Sequence, residues 1–329
     1  MSKHPPIDAA AIARAVAALR EGDVVGMPTE TVYGLAGDAT NAQAVARIFA
    51  LKRRPADHPL IVHLPGADAL PRWMRGGDER ARALAARFWP GPLTLIVPRA
   101  PHVSDAVTGG QDTVGLRVPA HPVALALLAA FGGALAAPSA NRFGHISPTT
   151  AEHVRREFGD ELAVVLDGGP CDIGIESTIV DLSSPQARVL RPGDIDVGAL
   201  SAVIGPVEAG ATRASPRVSG ALASHYAPRT PAELVARNDI RGQVRRAAGE
   251  GERFVVLARG EPIADVEGLT LPADAPEYAR HLYAALRELD GEDADRILVE
   301  SVPGGDDWAA VRDRLGRACS NLAGEADST

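Results

Sequence analysis

Residues 23–35 read DVVGMPTETVYGL, an apolar run that stops at a polar turn. The run Asp23–Met27 predicts a short buried strand, which leads into a turn at Pro28. Three polar residues, Thr29, Glu30 and Thr31, follow that proline. Because open α/β sheets bind their ligands just beyond the ends of strands, we expect this turn to line a binding site.

Helical and strand patterns alternate on both sides of this stretch. Upstream, Ile12, Val16 and Leu19 are spaced by four and three residues, which predicts a helix over 7–20. Downstream, Asn41 is suited to cap a helix that must end before Pro55. Further helices are predicted over 78–88 and 122–131, and a capping box of Thr149 and Glu152 predicts another that ends near residue 158. Further strands are predicted over 60–64, 93–97, 114–118, 134–137, 162–166, 178–182 and 189–190. The alternation predicts an α/β domain over residues 1–204.

The chain changes character after residue 204. Residues 205–231 are rich in Gly, Pro, Ala and Ser and show no sustained apolar period, which predicts a linker. Structureless connections longer than about 15 residues are uncommon in compact domains, so we expect this segment to be functional or partly disordered. Strands predicted over 253–258 and 297–300 and helices over 278–289 and 308–319 then indicate a second, smaller α/β domain over residues 232–323.

Composition narrows the class of protein. The 329-residue chain has 46% hydrophobic residues and a formal net charge of -8. No stretch approaches the roughly 18 apolar residues that span a bilayer, and the N-terminus lacks a secretory signal, so we expect a cytoplasmic protein with reduced Cys171 and Cys319. The acidic charge and the 4% aromatic content argue against a nucleic-acid-binding surface.

Lysine is rare in this chain, since only Lys3 and Lys52 occur among 34 basic residues. A lysine kept where arginine serves elsewhere indicates a need for a compact ammonium rather than a planar guanidinium. We expect Lys52 to lie exposed at the end of its helix, so that its replacement by alanine leaves the fold intact.

Polar motifs stand at the ends of the predicted strands and helices. They are PTETVYGL at 28–35, KRRP at 52–55, PL at 59–60 with His63, GLRVP at 115–119, PSAN at 138–141, ESTIVD at 176–181 and RPG at 191–193. The sequence lacks both common glycine-rich nucleotide loops and the hydrolase nucleophile elbow, and no histidine or cysteine spacing predicts a metal site. A basic, hydroxyl-rich surface on a neutral to acidic domain suits a phosphorylated small molecule.

These motifs, in this order, resemble those of the YrdC/Sua5 family, and specifically its two-domain Sua5 type, over nearly the whole chain. The resemblance implies an α/β fold: a YrdC-like twisted mixed sheet with helices and an open concave groove, followed by a small Rossmann-like α/β domain. It implies synthesis of threonylcarbamoyl-AMP and pyrophosphate from L-threonine, bicarbonate or CO2, and ATP. It further implies Mg²⁺ carried by ATP, no metal ligand from the protein, and delivery of the product to a tRNA threonylcarbamoyl transferase complex that modifies adenosine 37. Neither membrane attachment nor stable binding of nucleic acid is expected of this chain.

The resemblance also implies residue roles. The catalytic groove would carry Lys52, Arg54, Ser139 and Asn141. The threonine pocket would use Thr31, His63, Arg117, the backbone of Ala137, and Ser177. The ATP side would use Arg54, His58, Thr113, Ser139, Ser147, Arg191 and Tyr226. His58 departs from the family pattern, in which asparagine is common at this position.

The chemistry fits these roles. Attack of a carbamate on the α-phosphorus of ATP needs no protein nucleophile, only aligned oxygens and cations that neutralise phosphate charge. Arg117 suits the threonine carboxylate, which a guanidinium binds with two N–H groups. Tyr226 would contact the ATP phosphates if the linker folds over the groove as a lid; the alternative is that it only anchors the linker to a domain surface.

Three other functions stay open at the level of sequence. An RNA-binding or regulatory protein could use the same groove, although the charge and aromatic content argue against it. A carbamoyl-transfer relative that consumes carbamoyl phosphate would normally carry further domains. A catalytically silent relative is disfavoured by the intact pairs Lys52 with Arg54 and Ser139 with Asn141.

Overall fold

The computed structural model describes residues 4–220 and 226–320, which divide into two compact units. The first contains residues 4–143, 148–172 and 176–220. The second contains residues 144–147, 173–175 and 226–320. The segment predicted as a linker is therefore shared: its first part belongs to the first unit and residues 226–231 belong to the second.

A mixed β-sheet organises the first unit. Its strands are β1 (Val25–Met27), β2 (Gly34–Asp38), β3 (Ile61–His63), β4 (Leu93–Pro98), β5 (Thr113–Arg117), β6 (Leu135–Ala136), β7 (Thr178–Asp181), β8 (Ala187–Arg191) and β9 (Val207–Ala209). Across the described residues they are ordered β1-β2-β6-β3-β5-β4-β7-β8-β9. The pairs β3/β5, β4/β7 and β8/β9 are parallel and the others are antiparallel. This confirms the predicted mixed sheet, and β9 extends it into the segment predicted as a linker.

Helices cover both faces of this sheet. They are α1 (Ala9–Arg20), α2 (Ala42–Lys52), α3 (Leu70–Trp73), α4 (Glu79–Phe88), α5 (Asp105–Thr108), α6 (Pro122–Phe131), α7 (Ala151–Phe158) and α8 (Val197–Ile204). Neighbouring residues Leu35 and Ala36 of β2 point to opposite faces of the sheet. Leu35 belongs to an apolar cluster with α2 and α4, and Ala36 belongs to a cluster with α1 and α6. The side chain of Asn41 accepts hydrogen bonds from the first turn of α2, which confirms the predicted cap.

Two predicted elements are wrong in detail. The cap of α7 is Thr150, not Thr149, because two successive threonines offer equally suitable hydroxyls and only the hydroxyl of Thr150 accepts from the amide of His153. The strand predicted over 162–166 is a single bridge between Val165 and Gly26. The apolar residues of that stretch serve packing instead, as in Leu166, which is 2% exposed.

The second unit is built on a parallel sheet. Its elements are β10 (Ala232–Val235), α9 (Arg237–Glu250), β11 (Phe254–Arg259), β12 (Gly268–Leu271), α10 (Ala275–Leu289), β13 (Arg296–Glu300) and α11 (Ala309–Ala318). The described strands are ordered β10-β13-β11-β12 and all pairs are parallel. The central strand β13 is apolar and buried in its middle, as expected of a sheet covered on both faces. The prediction of a small second α/β domain is confirmed.

Lys52 ties the end of α2 to the loop that follows β6. Its Nζ donates to the carbonyl oxygens of Ser139 and Asn141, at 2.6 Å each. Its own carbonyl accepts from the amide of Phe143 (2.8 Å). The helix stops here because Arg53 adopts the left-handed conformation, with φ 51°.

The expected exposure of Lys52 is wrong, because only 2% of the residue is exposed. Burial, and then the charge of Arg54, lower the pKa of Lys52 well below its usual value. The sequence could not reveal this, since a lysine at a helix end usually reaches solvent and the carbonyls that hold Lys52 lie in a loop distant in sequence. The Nζ of Lys52 thus holds the loop after β6 from inside the fold.

The same loop is tied to the turn that follows β1. The amide of Ala140 donates to Tyr33 O and the amide of Leu35 donates to Pro138 O, both at 2.8 Å. A Cβ placed on Gly34 would lie 3.2 Å from the Cβ of Ala137, a tight contact that favours glycine. Three motifs that are distant in sequence, PTETVYGL, KRRP and PSAN, therefore meet at one place.

We predict that Lys52→Met lowers the free energy of unfolding of the protein by about 1–3 kcal/mol, because two buried carbonyls lose their donor while the side-chain volume is kept. Calorimetric unfolding measures the loss. Arg47→Met on the same helix, where the side chain is 47% exposed, is the matched control and should change stability by less than about 0.5 kcal/mol. Equal stability of the two variants would contradict the anchoring role of Lys52.

Candidate active site

Arg117, at the end of β5, lies at the centre of the predicted threonine pocket and is 4% exposed. Its Nη1 donates to Thr31 Oγ1 (2.9 Å), its Nε donates to Gly91 O (3.2 Å), and its Nη2 lies 2.6 Å from Glu30 Oε1. These contacts fix the plane of the guanidinium. Since a guanidinium carries five N–H groups, Arg117 still has N–H groups for a ligand carboxylate.

His63 is the register neighbour of Arg117 on the adjacent strand β3. It is 4% exposed, and its Nδ1 has no hydrogen-bond partner among the described residues. Burial, and then the charge of Arg117, lower the pKa of His63 to about 3. A neutral imidazole beside Arg117 can therefore donate or accept a hydrogen bond with a ligand hydroxyl. Ala137 lies on the other side of β3, where its amide donates to Ile61 O (3.0 Å).

Ser177, predicted in the threonine pocket, is hydrogen-bonded to Thr94 and Arg191. Its Oγ lies 2.9 Å from Thr94 Oγ1, and Arg191 Nη2 donates to the Oγ (3.0 Å) and the carbonyl (2.9 Å) of Ser177. Both residues are almost fully buried. Arg191, which was predicted on the ATP side, is thus placed directly against a residue predicted on the threonine side.

Arg54 and Arg191 meet at Ser219. Arg54 Nη2 donates to Ser219 Oγ (3.1 Å) and Pro59 O (2.9 Å), and Arg191 Nη1 donates to Ser219 O (3.0 Å). The hydroxyl of Ser219 in turn donates to Pro59 O (2.9 Å). Two cations expected to face phosphate are therefore bound, in this conformation, to the segment predicted as a linker.

The residues before Ser219 lie along the sheet of the first unit. Gln111 and the backbone of Arg217 exchange two hydrogen bonds, at 2.7 and 3.1 Å. Val218 packs in an apolar cluster with Ile96 and Ile179. These residues and Thr113 line a narrow cleft at the edge of β5. This part of the linker covers the predicted ATP side of the groove.

The remaining predicted residues fall into two groups. His58 stays in the first unit, where its ring contacts Phe143 at 5.3 Å and where burial, and then Arg54, lower its pKa. Ser147 and Tyr226 belong to the second unit. The ring of Tyr226 is 1% exposed, 5.7 Å from that of Tyr283 and 5.5 Å from the guanidinium carbon of Arg314. These contacts anchor the end of the linker within the second unit. The neighbouring His225 lies outside the described residues.

Lys52 joins three of the four predicted groove residues, itself, Ser139 and Asn141, but through backbone carbonyls. Ser139 and Asn141 accept from Lys52 with their carbonyl oxygens, and the side chain of Asn141 donates to Arg142 O (2.7 Å). Over residues 4–220 and 226–320, no group of three or more His, Cys, Asp or Glu is placed to hold a metal ion. In the same ranges no helix is long and apolar enough to cross a membrane.

Sequence reasoning missed two contributors to the site. Glu30, the buried counter-ion of Arg117, stands between Thr29 and Thr31, and from the sequence it suited a cap or a supporting residue, so no site role was predicted for it. Ser219 was noticed only as part of the linker. Its contact with both arginines could not be predicted, because residue 219 is more than 25 positions away from either of them in sequence.

Comparison with known proteins shows which family the chain is similar to. Residues 17–193 match the family model Sua5_yciO_yrdC, described as "Telomere recombination", and residues 195–320 match the model of the threonylcarbamoyl-AMP synthase C-terminal domain. The threonylcarbamoyl-AMP synthase of Pyrococcus abyssi is 40% identical over 91% of both chains. The threonylcarbamoyl-AMP synthase of Bacillus subtilis is 41% identical over 93% of this chain and 92% of its own.

Solved structures give the same result. The crystal structure of P. abyssi Sua5 complexed with L-threonine has a TM-score of 0.89 and 38% identity, with 94% of each chain covered. The structure of Escherichia coli YciO, with a TM-score of 0.51 and 24% identity over 57% of this chain and 92% of its own, shares the fold. The chain therefore belongs to the Sua5/YciO/YrdC family and has the two-domain organisation of Sua5.

Proposed function

We propose that this protein is an L-threonylcarbamoyladenylate synthase, a nucleotidyltransferase that forms threonylcarbamoyl-AMP and pyrophosphate from L-threonine, bicarbonate or CO2, and ATP. The observation that carries the proposal is the buried cluster of Arg117, Thr31 and neutral His63, in which Arg117 donates to Thr31 and is the register neighbour of His63. Two relatives that cover more than 90% of the chain are named for this activity, and the similar P. abyssi Sua5 has a crystal structure in complex with L-threonine.

The pocket suits an amino acid that carries a hydroxyl. The guanidinium of Arg117 provides N–H groups for the carboxylate. Hydrogen-bonding groups for the side chain are Thr31 Oγ1 and His63 Nδ1, which has no hydrogen-bond partner within the described part of the chain. An amino acid without the hydroxyl would leave these buried polar groups unpaired, which disfavours its binding.

The nucleotide would lie on the side of Arg54 and Arg191. Their guanidinium groups can neutralise the charge that spreads over the phosphate oxygens, and Mg²⁺ would arrive with ATP. Because both arginines hold Ser219 in this conformation, ATP would exchange these bonds for bonds to phosphate. Segment 217–219 would then move or close over the nucleotide, which would keep water from the adenylate.

The reaction requires alignment rather than a protein nucleophile. The α-ammonium of threonine loses a proton, and the free amine takes up CO2, or bicarbonate with loss of water, to give a carbamate. The carbamate oxygen then attacks the α-phosphorus of ATP, and the bond to pyrophosphate breaks as pyrophosphate leaves. Lys52 acts here as a positioning residue, since its described bonds hold the carbonyls of the loop after β6. The labile mixed anhydride would pass, in the cytoplasm, to a transferase that modifies adenosine 37 of tRNA.

We predict that pyrophosphate release requires ATP, bicarbonate and threonine together. Valine has nearly the same shape as threonine but lacks the hydroxyl, so its kcat/KM should be lower by a factor on the order of 100 or more. A pyrophosphate-release assay that compares threonine, serine, valine and no amino acid measures this preference. Release at the same rate with valine, or without any amino acid, would contradict the proposed function.

We predict that His63 makes stability depend on pH. The pKa of His63 is lowered to about 3 in the folded protein, so between pH 7.5 and 5 the unfolded chain takes up a proton that the folded chain does not. The free energy of unfolding should therefore fall by about 2 kcal/mol over this range, relative to His63→Gln. Denaturant titrations at the two pH values measure the difference. The control is His281→Gln, which replaces a half-exposed histidine of α10 and should leave the pH dependence of the free energy of unfolding as in the wild type. If His63→Gln also left this pH dependence unchanged, the result would refute a neutral, buried His63 in the folded protein.

A further inference from the structure

We infer that Glu30 binds the α-ammonium group of the amino-acid substrate, so that Glu30 and Arg117 together recognise a zwitterion. The inference rests on the proposed function, because it assigns a residue to one part of the same pocket. The family resemblance implies no role for Glu30. From the sequence alone, this residue suits a cap or a supporting position.

The first observation is a buried carboxylate with unused acceptors. Glu30 is 5% exposed, and neither of its oxygens has a hydrogen-bond donor among the described residues. A carboxylate has about four lone-pair sites, and buried carboxylates normally accept several hydrogen bonds. A ligand with N–H groups would satisfy the oxygens of Glu30.

Arg117 does not supply the hydrogen-bond donors that the carboxylate oxygens of Glu30 lack. Its Nη2 lies 2.6 Å from Glu30 Oε1, which balances the charge, but this approach lies outside hydrogen-bonding geometry. The Nε and Nη1 of Arg117 donate to Gly91 O and Thr31 Oγ1 instead. The ion pair is therefore incomplete, and each partner still has groups that face a ligand.

The second observation is the negative field on this side of the pocket. Desolvation and the charge of Glu30 raise the pKa of Asp194, and the same charge, after burial, contributes to the raised pKa of Cys171. The carboxylate of Glu30 thus acts on neighbours that are not cations. A ligand ammonium placed next to Glu30 would lie in a favourable potential.

The geometry of an α-amino acid matches this pair of charges. Its carboxylate and ammonium are attached to the same carbon atom, and Glu30 touches the guanidinium that would bind the carboxylate. A substrate carboxylate on Arg117 therefore brings the substrate amine close to Glu30. Such a site would reject a hydroxy acid of the same shape, because a hydroxyl cannot replace a cation beside a buried carboxylate.

The test compares two ligands that differ only in the amine. Calorimetric titrations without ATP and bicarbonate measure the Kd of L-threonine and of the 2,3-dihydroxybutanoate of matching stereochemistry, in which a hydroxyl replaces the amine. Wild-type protein should bind threonine at least tenfold more tightly. Glu30→Gln should lose most of this preference while its affinity for the hydroxy acid stays within about threefold of the wild type.

Glu300→Gln is the matched control, because Glu300 is also buried (3% exposed) and ion-paired with an arginine, Arg237, in the second unit. This variant should keep the wild-type preference. If Glu30 served only as the counter-ion of Arg117, Glu30→Gln would weaken both ligands equally, and the inference would be overturned.

A wild-type Kd that is the same for the two ligands would also overturn the inference, even if Glu30→Gln did not fold, and would leave the proposed function standing. Wild-type protein that bound neither ligand and released no pyrophosphate would refute the proposed function, and the inference with it.

Discussion

The site depends on the two hydrogen bonds that the buried Nζ of Lys52 donates to the carbonyl oxygens of Ser139 and Asn141. They join the end of α2 to the loop after β6, and that loop is hydrogen-bonded to the turn that carries Thr31. An arginine would bring a larger, planar group into a space closed to solvent, which explains why lysine is kept in a chain that otherwise uses arginine. The rarity of lysine singled out Lys52 in the sequence, but the expected exposure of this residue was wrong.

Charge balance explains how the pocket can be both buried and polar. Arg117 is compensated by Glu30, and His63 stays neutral because burial and Arg117 oppose its protonation. Arg54 and Arg191 donate to oxygens of the linker and of neighbouring loops. Each cation is held by neutral or negative groups that a substrate can replace or join. A site of this kind can bind anionic substrates and align them without a nucleophile of its own.

Local patterns predicted the elements, while distant contacts decided the site. The cap at Asn41, the strands that end at His63 and Arg117, and the mixed sheet follow from spacing, caps and family resemblance. The burial of Lys52 and the contact of Ser219 with two arginines depend on residues far away in sequence, which no local pattern encodes. Glu30 was visible but ambiguous, because a glutamate between two threonines suits a helix cap as well as an ion pair.

The most direct test of the account follows the carbon atom of bicarbonate. The protein is incubated with ¹³C-bicarbonate, L-threonine and ATP in the absence of tRNA, and the products are identified by rapid chromatography and mass spectrometry. The account predicts that threonylcarbamoyl-AMP carries the label and forms together with pyrophosphate. Formation of pyrophosphate with no labelled adenylate, or of threonyl-AMP without the label, would contradict it.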